Sequence, residues 1–269
     1  MKKIRIGNQT SFSAPTPVLP FEYAIESGFD AFEWFPDRHG AAGWDPGCMD
    51  AGTRRYIRDR AAAHDIALSV HVSLQGNPLE ARTHGIILRD MDFARDIGAG
   101  LVNIHLYAER GPDDYAAALM PFAGLAAEAG ISLAIENTPL TPPGDFNRVF
   151  SRLREPGGTA HVGMCLDLGH ANLCGHTRND YLRFIDLLDP RIPVIHIHMH
   201  ENFGDCDSHL PLFTGPAGKD PLGLGEFIKR MKGRGFSGSV ILEQWPQPPL
   251  LLNEARDRLY YMWNEKGAS

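Results

Sequence analysis

Short runs of apolar and β-branched residues recur along the chain, separated by longer segments with helix-like spacing. Eight such runs read as strands: Lys3–Gln9, Ala31–Phe35, Ala67–Ser73, Leu101–Leu106, Ser132–Asn137, His161–Asp167, Val194–Met199 and Ser239–Gln244. Between them, Leu79–Gly98, Pro112–Gly130 and Leu222–Gly233 fit amphipathic helices, and Arg178–Leu188 fits a further one with Thr177 as its N-cap. Gly28, Gly98, Gly130 and Gly235 each follow a helical segment and precede a strand, where a left-handed C-terminal cap favours glycine. The pattern is almost strictly strand–helix–strand, which predicts a parallel sheet. Eight units predict a closed (β/α)8 TIM barrel, taken as one domain over residues 1–269. A doubly wound open sheet is the competing arrangement, but "GNQTSFSAPTP" after the first run contains neither a GxGxxG nor a P-loop.

Period two also orders the run "VIHIHMHENFGDCDSH", Val194–His209. On a strand, His196, His198 and His200 share one face, and Ile195, Ile197 and Met199 the other. With the histidines inward, His196 lies deepest and reads as a core residue. His198 falls nearest the rim-level ligand layer. His200 stands at or beyond the rim as a substrate contact, or as the ligand if the register slips by one rung. Glu201 and Asp205 read as loop charges, and Asp207 with His209 as a paired motif.

Composition narrows the class. A net charge of −7 and a pI near 5.9 disfavour nucleic acid as partner, because that binding rests on neutralising phosphates. The basic stretch Thr53–Arg60 reads as the solvated face of a helix. No apolar run approaches a membrane span, and the start lacks an apolar signal region. Four scattered cysteines without a CxxC (Cys48, Cys165, Cys174, Cys206) suggest reduced thiols and a cytoplasmic setting.

A barrel builds its site at the C-terminal ends of its strands. Those ends carry His71, His105, Glu136, Asp167, His198 and Glu243, and the following loops add His170, Asp207 and His209. Carboxylates converging on one axis resist burial unless a cation or proton compensates them. Mixed Asp, Glu and His donors suit zinc, manganese or cobalt better than magnesium or calcium. Glu33 at the second strand end stands as a substrate contact or a satisfied interior acid. In the loop Glu33–Gly47, Trp34 and Arg38 are substrate-binding candidates, with Phe35 and Trp44 as further aromatics; Arg178 and Lys219 are loop cations.

The motifs "SVHVS", "VNIHL", "AIENTP", "CLDLGHANLCG", "HMHENFGDCDSHLPL" and "ILEQ" resemble the xylose isomerase-like barrels, over nearly the whole chain. That group includes sugar isomerases and epimerases and the endonuclease IV class of abasic-site nucleases. The resemblance to the epimerases implies one divalent metal on Glu136, Asp167, His198 and Glu243. It also implies Glu136 and Glu243 as the acid/base pair, and His170 on a substrate oxygen. The expected activity is then isomerisation or epimerisation of a sugar or sugar phosphate through an enediolate. The resemblance to the nuclease class implies up to three zinc ions: His71, His105 and Glu136 on the first; Glu136, Asp167, His198 and Glu243 on the second; His170, Asp207 and His209 on the third. After His209, "LPL" follows the sugar-enzyme pattern, which "FTGPAGKDP" then interrupts, and "VSLQGNP" after His71 lacks the nuclease's Tyr-Leu pair. The sugar reading is therefore preferred, the phosphodiesterase is the alternative, and a homo-oligomer or an inert barrel retaining its ligands is left open.

Overall fold

The computed structural model describes residues 4–10, 14–39, 42–154, 161–244 and 249–264. Eight parallel strands close into a barrel: β1 (Arg5–Gln9), β2 (Ala31–Trp34), β3 (Ala67–His71), β4 (Leu101–His105), β5 (Ser132–Glu136), β6 (Val162–Asp167), β7 (Val194–Met199) and β8 (Ser239–Leu242). Each pairs with its sequence neighbours, and β1 closes the ring on β8 through Ile6 opposite Val240 and Asn8 opposite Leu242. The strands match the hydrophobic runs to within a residue or two; Lys3 lies outside the described residues. A two-residue antiparallel ribbon, Arg38–His39 with Ala42–Gly43, decorates the loop after β2 and left no mark in the apolar pattern.

Ten helices are described: α1 (Val18–Glu26), α2 (Ala51–Ala63), α3 (His84–Ile97), α4 (Pro112–Glu128), α5 (Pro143–Leu153), α6 (Leu168–Leu173), α7 (Tyr181–Asp186), α8 (Pro216–Lys219), α9 (Leu222–Gly233) and α10 (Leu250–Asn264). The four glycines expected at helix ends all have positive φ. At Gly98 the backbone N–H reaches back to Ala94 O and Arg95 O, closing α3. Two helix starts differ from expectation: α3 opens at His84 and not at Leu79, and α7 at Tyr181 and not at Arg178. The cap of α7 is Asp180, which accepts from Arg183 N at 3.0 Å, and not Thr177. Thr177 is buried, its hydroxyl donating to Ala171 O, while Asn179 takes a left-handed turn; the chain is tied back to α6 before the new helix begins.

The outward strand faces and the inner faces of the helices form the main apolar layer. Trp34 belongs to it. Although offered as a substrate contact, it is fully buried and packs on Phe21, Phe32, Trp44 and Phe93 at centroid distances of 5.0–6.0 Å. The reason is parity: Glu33 takes the inner face of β2, so Trp34 must point out. Inside the barrel, a bulge between β6 and β7 pairs Met164 with Val194 but Cys165 with His196. The extra residue, Ile195, therefore packs across Gly163, whose Cβ would lie 2.6 Å from it, and not against the helices as simple alternation implied. Above the bulge, alternation resumes and sets His196 and His198 inward.

Asp90 on α3 holds the loop after β3 by accepting from Ser73 N at 3.0 Å. Burial raises its pKa to about 7, against the opposing pull of Ser73 N–H and Arg89. An acid whose folded pKa is raised binds more protons folded than unfolded, so its contribution to stability falls as pH rises from the unfolded value near 3.8 through about 7. Asp90→Asn is expected to gain stability relative to wild type across that interval, by about 1–3 kcal/mol at the alkaline end. Urea unfolding of both proteins at about pH 5 and pH 8 checks this; a difference independent of pH would rule Asp90 out as the proton holder.

Candidate metal centre

The inner face of β7 and the ends of its neighbours bring the predicted residues together. Register places Glu136 level with His105 and Asp167 level with His198. Among the described residues, four sets of donor atoms lie within 4.8 Å of one another: His71, His105 and Glu136; Glu136, Asp167, His198 and Glu243; His170, His200, Asp207 and His209; and, deeper in the barrel, Cys165, His196 and His198. Glu136 belongs to two of them.

Local sequence explains each placement. Asp167 ends β6 and caps α6, accepting His170 N at 2.6 Å with Oδ1, so Oδ2 remains turned to the centre. The D-L-G-H spacing is N-cap to third helical position, which brings the His170 ring to 3.5 Å from that carboxylate. Asn137 clamps β5 to β6 in both directions, donating to Asp167 O at 2.8 Å and accepting from Asp167 N at 2.9 Å. Asn103 donates to Glu136. The rings are fixed too. His71 donates Nδ1–H to Val72 O (2.6 Å), His170 to Asn137 O (2.8 Å) and His209 to Glu243 O (3.2 Å). A backbone carbonyl can only accept, so in the neutral ring Nε2 carries the lone pair that faces inward.

The separations are also those of donors around one ion. Donors at 2.0–2.1 Å around a tetrahedral ion stand about 3.3 Å apart. His71 and His105 lie 3.0 and 3.4 Å from Glu136, His198 Nδ1 lies 3.3 Å from Glu136 and 3.1 Å from Glu243, and Asp207 lies 3.2 and 3.4 Å from His170 and His209. Glu136 Oε1, Asp167 Oδ2, Glu243 Oε2 and His198 Nδ1 are buried without hydrogen-bond partners. Orphaned buried acceptors at this spacing fit a divalent cation.

Electrostatics points the same way. Burial would raise Glu136, but His198, His105 and His71 overcome it and hold the acid well below the usual carboxylate range. Asp167 is likewise lowered against burial by His170 and His200, and Asp207 by His170 and His209. Burial opposes charge on His198 and His170, yet nearby Cys165 and the carboxylates raise the first, and Asp167 and Asp207 the second, well above the ordinary imidazole value. His209 rises to about 9, against burial, chiefly through Asp207. His105 is lowered by burial. Glu136, Asp167 and Asp207 are thus held as carboxylates by the imidazoles around them, a field that also favours a cation.

Several expectations change. Glu33, offered as a substrate contact, is fully buried below the centre, against His196, His198 and Ser69, where substrate cannot reach it. Arg38 sits in the ribbon, and its side chain lies outside the described residues. His196 is lowest in the ladder, as expected, but His200 is buried and not at the rim. It fits where Gly169 has no side chain, since a Cβ there would lie 2.0 Å from its ring. It stacks on His209 at 3.8 Å and 7°, and lone pairs lie in the ring plane, so parallel rings cannot both aim at one ion. Phe35, 4.4 Å from His71, is the loop aromatic that reaches the centre. Glu201, read as a loop charge, is a buried anchor whose carboxylate accepts from Phe213 N and from Ala217 N (2.9 Å), holding the loop that carries Asp207 and His209. Its only sequence signal was the following run of glycine and proline, which frees backbone N–H groups. Beside it, a cavity of about 270 Å³ is bounded by Asn172, Tyr181, His200, Asn202 and Leu212.

A parallel eight-stranded barrel with acid–imidazole clusters at the strand C-termini defines a class of metal-site barrels. The family is more specific: the chain belongs to the xylose isomerase-like TIM barrel family, whose model matches residues 21–262. The uncharacterized protein MJ1311 of Methanocaldococcus jannaschii is 26% identical over 139 residues, or 49% of this chain and 43% of that protein, so the match spans under half of its length. Among solved structures, a D-tagatose 3-epimerase-like protein superposes with a TM-score of 0.75 at 20% identity, covering 98% of this chain and 100% of that one. Endonuclease IV from Thermus thermophilus does so with a TM-score of 0.67 at 19% identity, covering 96% and 98%. Among the described residues no helix is long and apolar enough to cross a membrane.

Glu201→Ala leaves two or more buried N–H groups without an acceptor. It is expected to cost about 2–3 kcal/mol in chemical unfolding and to expose the 201–215 loop to proteolysis. A variant as stable and as protease-resistant as wild type would contradict the anchor.

Proposed function

We propose that the protein is a divalent-metal-dependent isomerase or epimerase of a sugar or sugar phosphate. The observation that carries the reading is the buried group Glu136, Asp167, His198 and Glu243, in which carboxylates from the end of β5 and from the residue after β8 flank one imidazole nitrogen. These four residues would hold zinc, manganese or cobalt, one ion in the preferred reading. When bound, the ion supplies Lewis acidity beside the oxygens of a carbonyl and its neighbouring hydroxyl. Glu136 and Glu243 do the proton work. One removes the proton from the carbon beside the carbonyl, and the other, three strands away around the barrel, returns one to the opposite face of the enediolate or to the neighbouring carbon. Asn103 steadies Glu136 through its amide. His170, with Nδ1 bound to Asn137 O, turns Nε2 toward Asp207 and a substrate hydroxyl. The inner residues exclude water, while Asp207, His209 and His105 keep 39, 37 and 15% of their side chains exposed and mark the entry. The net charge of −7 favours a small polyol over a polyanion.

The second reading, a zinc-dependent phosphodiesterase of the abasic-site class, is favoured by one observation: the sets that share Glu136 are joined by the His170, Asp207 and His209 set, as three ions would require. Metal content separates the two, since one ion per chain supports the isomerase and three tightly held zincs support the hydrolase. So does direct assay. With ketoses and aldoses in deuterated water, the isomerase exchanges solvent deuterium into the carbon beside the carbonyl. Glu136→Gln and Glu243→Gln should each lower that turnover by about 10²–10⁴-fold. Full turnover in both variants overturns the acid/base pair, and chelator-sensitive cleavage of an abasic duplex overturns the sugar reading.

A further inference from the structure

Glu33 has no part in the proton chemistry, yet it is fully buried. It comes from β2, directly beneath the metal-type group. Its Oε2 accepts from Ser69 Oγ at 2.8 Å and from His196 Nε2 at 2.9 Å, and its Oε1 touches His198 Nε2 at 2.7 Å. At 2.7–2.9 Å these are direct contacts. The His198 ring is therefore turned with Nε2 against Glu33 and Nδ1 toward the centre, 3.3 Å from Glu136 and 3.1 Å from Glu243. His71, His170 and His209 are fixed in the opposite sense, with Nδ1–H on backbone carbonyls and Nε2 inward.

We infer that Glu33 is the positioning residue of the metal centre: by contacting His198 from below, it makes this ring present Nδ1 while the other fixed histidines present Nε2. The inference rests on the metal-centre reading given above. Glu33 also adds a negative charge beneath the group, which favours a dication above it. An amide cannot replace it. Its single oxygen cannot meet Ser69 and both imidazoles, so one ring would face an NH2 group in place of a carboxylate oxygen.

Cobalt(II) titration of the metal-free protein, followed by its visible absorption, tests this without substrate. Glu33→Gln is expected to weaken cobalt binding by about 10–100-fold. Ser69→Ala, which removes one neutral donor to Glu33, should stay within about threefold of wild type. Urea unfolding of the metal-free proteins separates a structural role, which would lower stability and leave cobalt affinity unchanged. Should Glu33→Gln not fold, ¹⁵N-histidine spectra of cadmium-loaded wild type give the same answer: the metal coupling of His198 appears on Nδ1, and that of His71 on Nε2. Cobalt affinity within twofold of wild type in folded Glu33→Gln overturns the inference, as does coupling at His198 Nε2. A wild-type protein that takes up neither ion overturns the metal centre itself and this inference with it, whatever sugar turnover shows.

Discussion

Concentrated negative charge inside the barrel is the constraint around which the rest is arranged. Glu33, Glu136, Asp167 and Glu243 are each at most 6% exposed, and all face the same interior. A carboxylate removed from water is costly unless it is paired, and several together multiply the cost by mutual repulsion. The structure compensates in two layers. Below, Ser69 and His196 bond Glu33 Oε2, and His198 Nε2 lies 2.7 Å from its Oε1. Above, Glu136, Asp167 and Glu243 face rings at slightly longer separations and keep unpartnered oxygens. The upper layer gathers more negative charge than its hydrogen bonds offset, a charge that protons on His170, His198 and His209 or cations balance.

The barrel supplies what such an arrangement needs. Closure leaves no sheet edge, and the parallel register fixes which strand ends stand level. Shifting β7 by one residue would turn every histidine in the ladder outward. The bulge at Ile195 is therefore decisive for the site: it resets the phase of β7 just below His196, after which strict alternation carries His198 to the level of Asp167. The loop beyond is held differently. His209 and Phe213 both have positive φ, which costs free energy in residues other than glycine. The Glu201 carboxylate and the Glu201–Leu210 bridge offset that cost and hold Asp207 and His209 over the mouth.

Much of this was legible in the residues. Strand–helix alternation, helix-end glycines and the acids and imidazoles at strand ends follow from local periodicity, and the barrel follows from counting units. What was hidden depends on parity or on contacts distant in sequence. Trp34 looks like a mouth aromatic until Glu33 is known to face inward. Glu33 itself contacts His196, 163 positions away, a relation no local pattern carries. His200 could be placed at the rim only by ignoring Gly169, whose missing side chain is its pocket. Thr177 has the right type for a cap, but its hydroxyl serves Ala171 O instead.

The same donors serve two chemistries on this fold, because acid–imidazole clusters are not specific for a reaction. Proton transfer beside a carbonyl needs two carboxylates free to exchange a proton and a mouth that admits a small polar molecule. Phosphodiester hydrolysis needs several cations at once and an open basic surface for the nucleic acid backbone. The clusters here satisfy the donor half of either requirement. The surroundings do not divide evenly: the chain carries a net charge of −7, the entry is lined by Asp207, and the apolar ring of Phe35 lies against His71. Selectivity on this scaffold is therefore set less by which residues can hold a cation than by what the loops above them allow to approach.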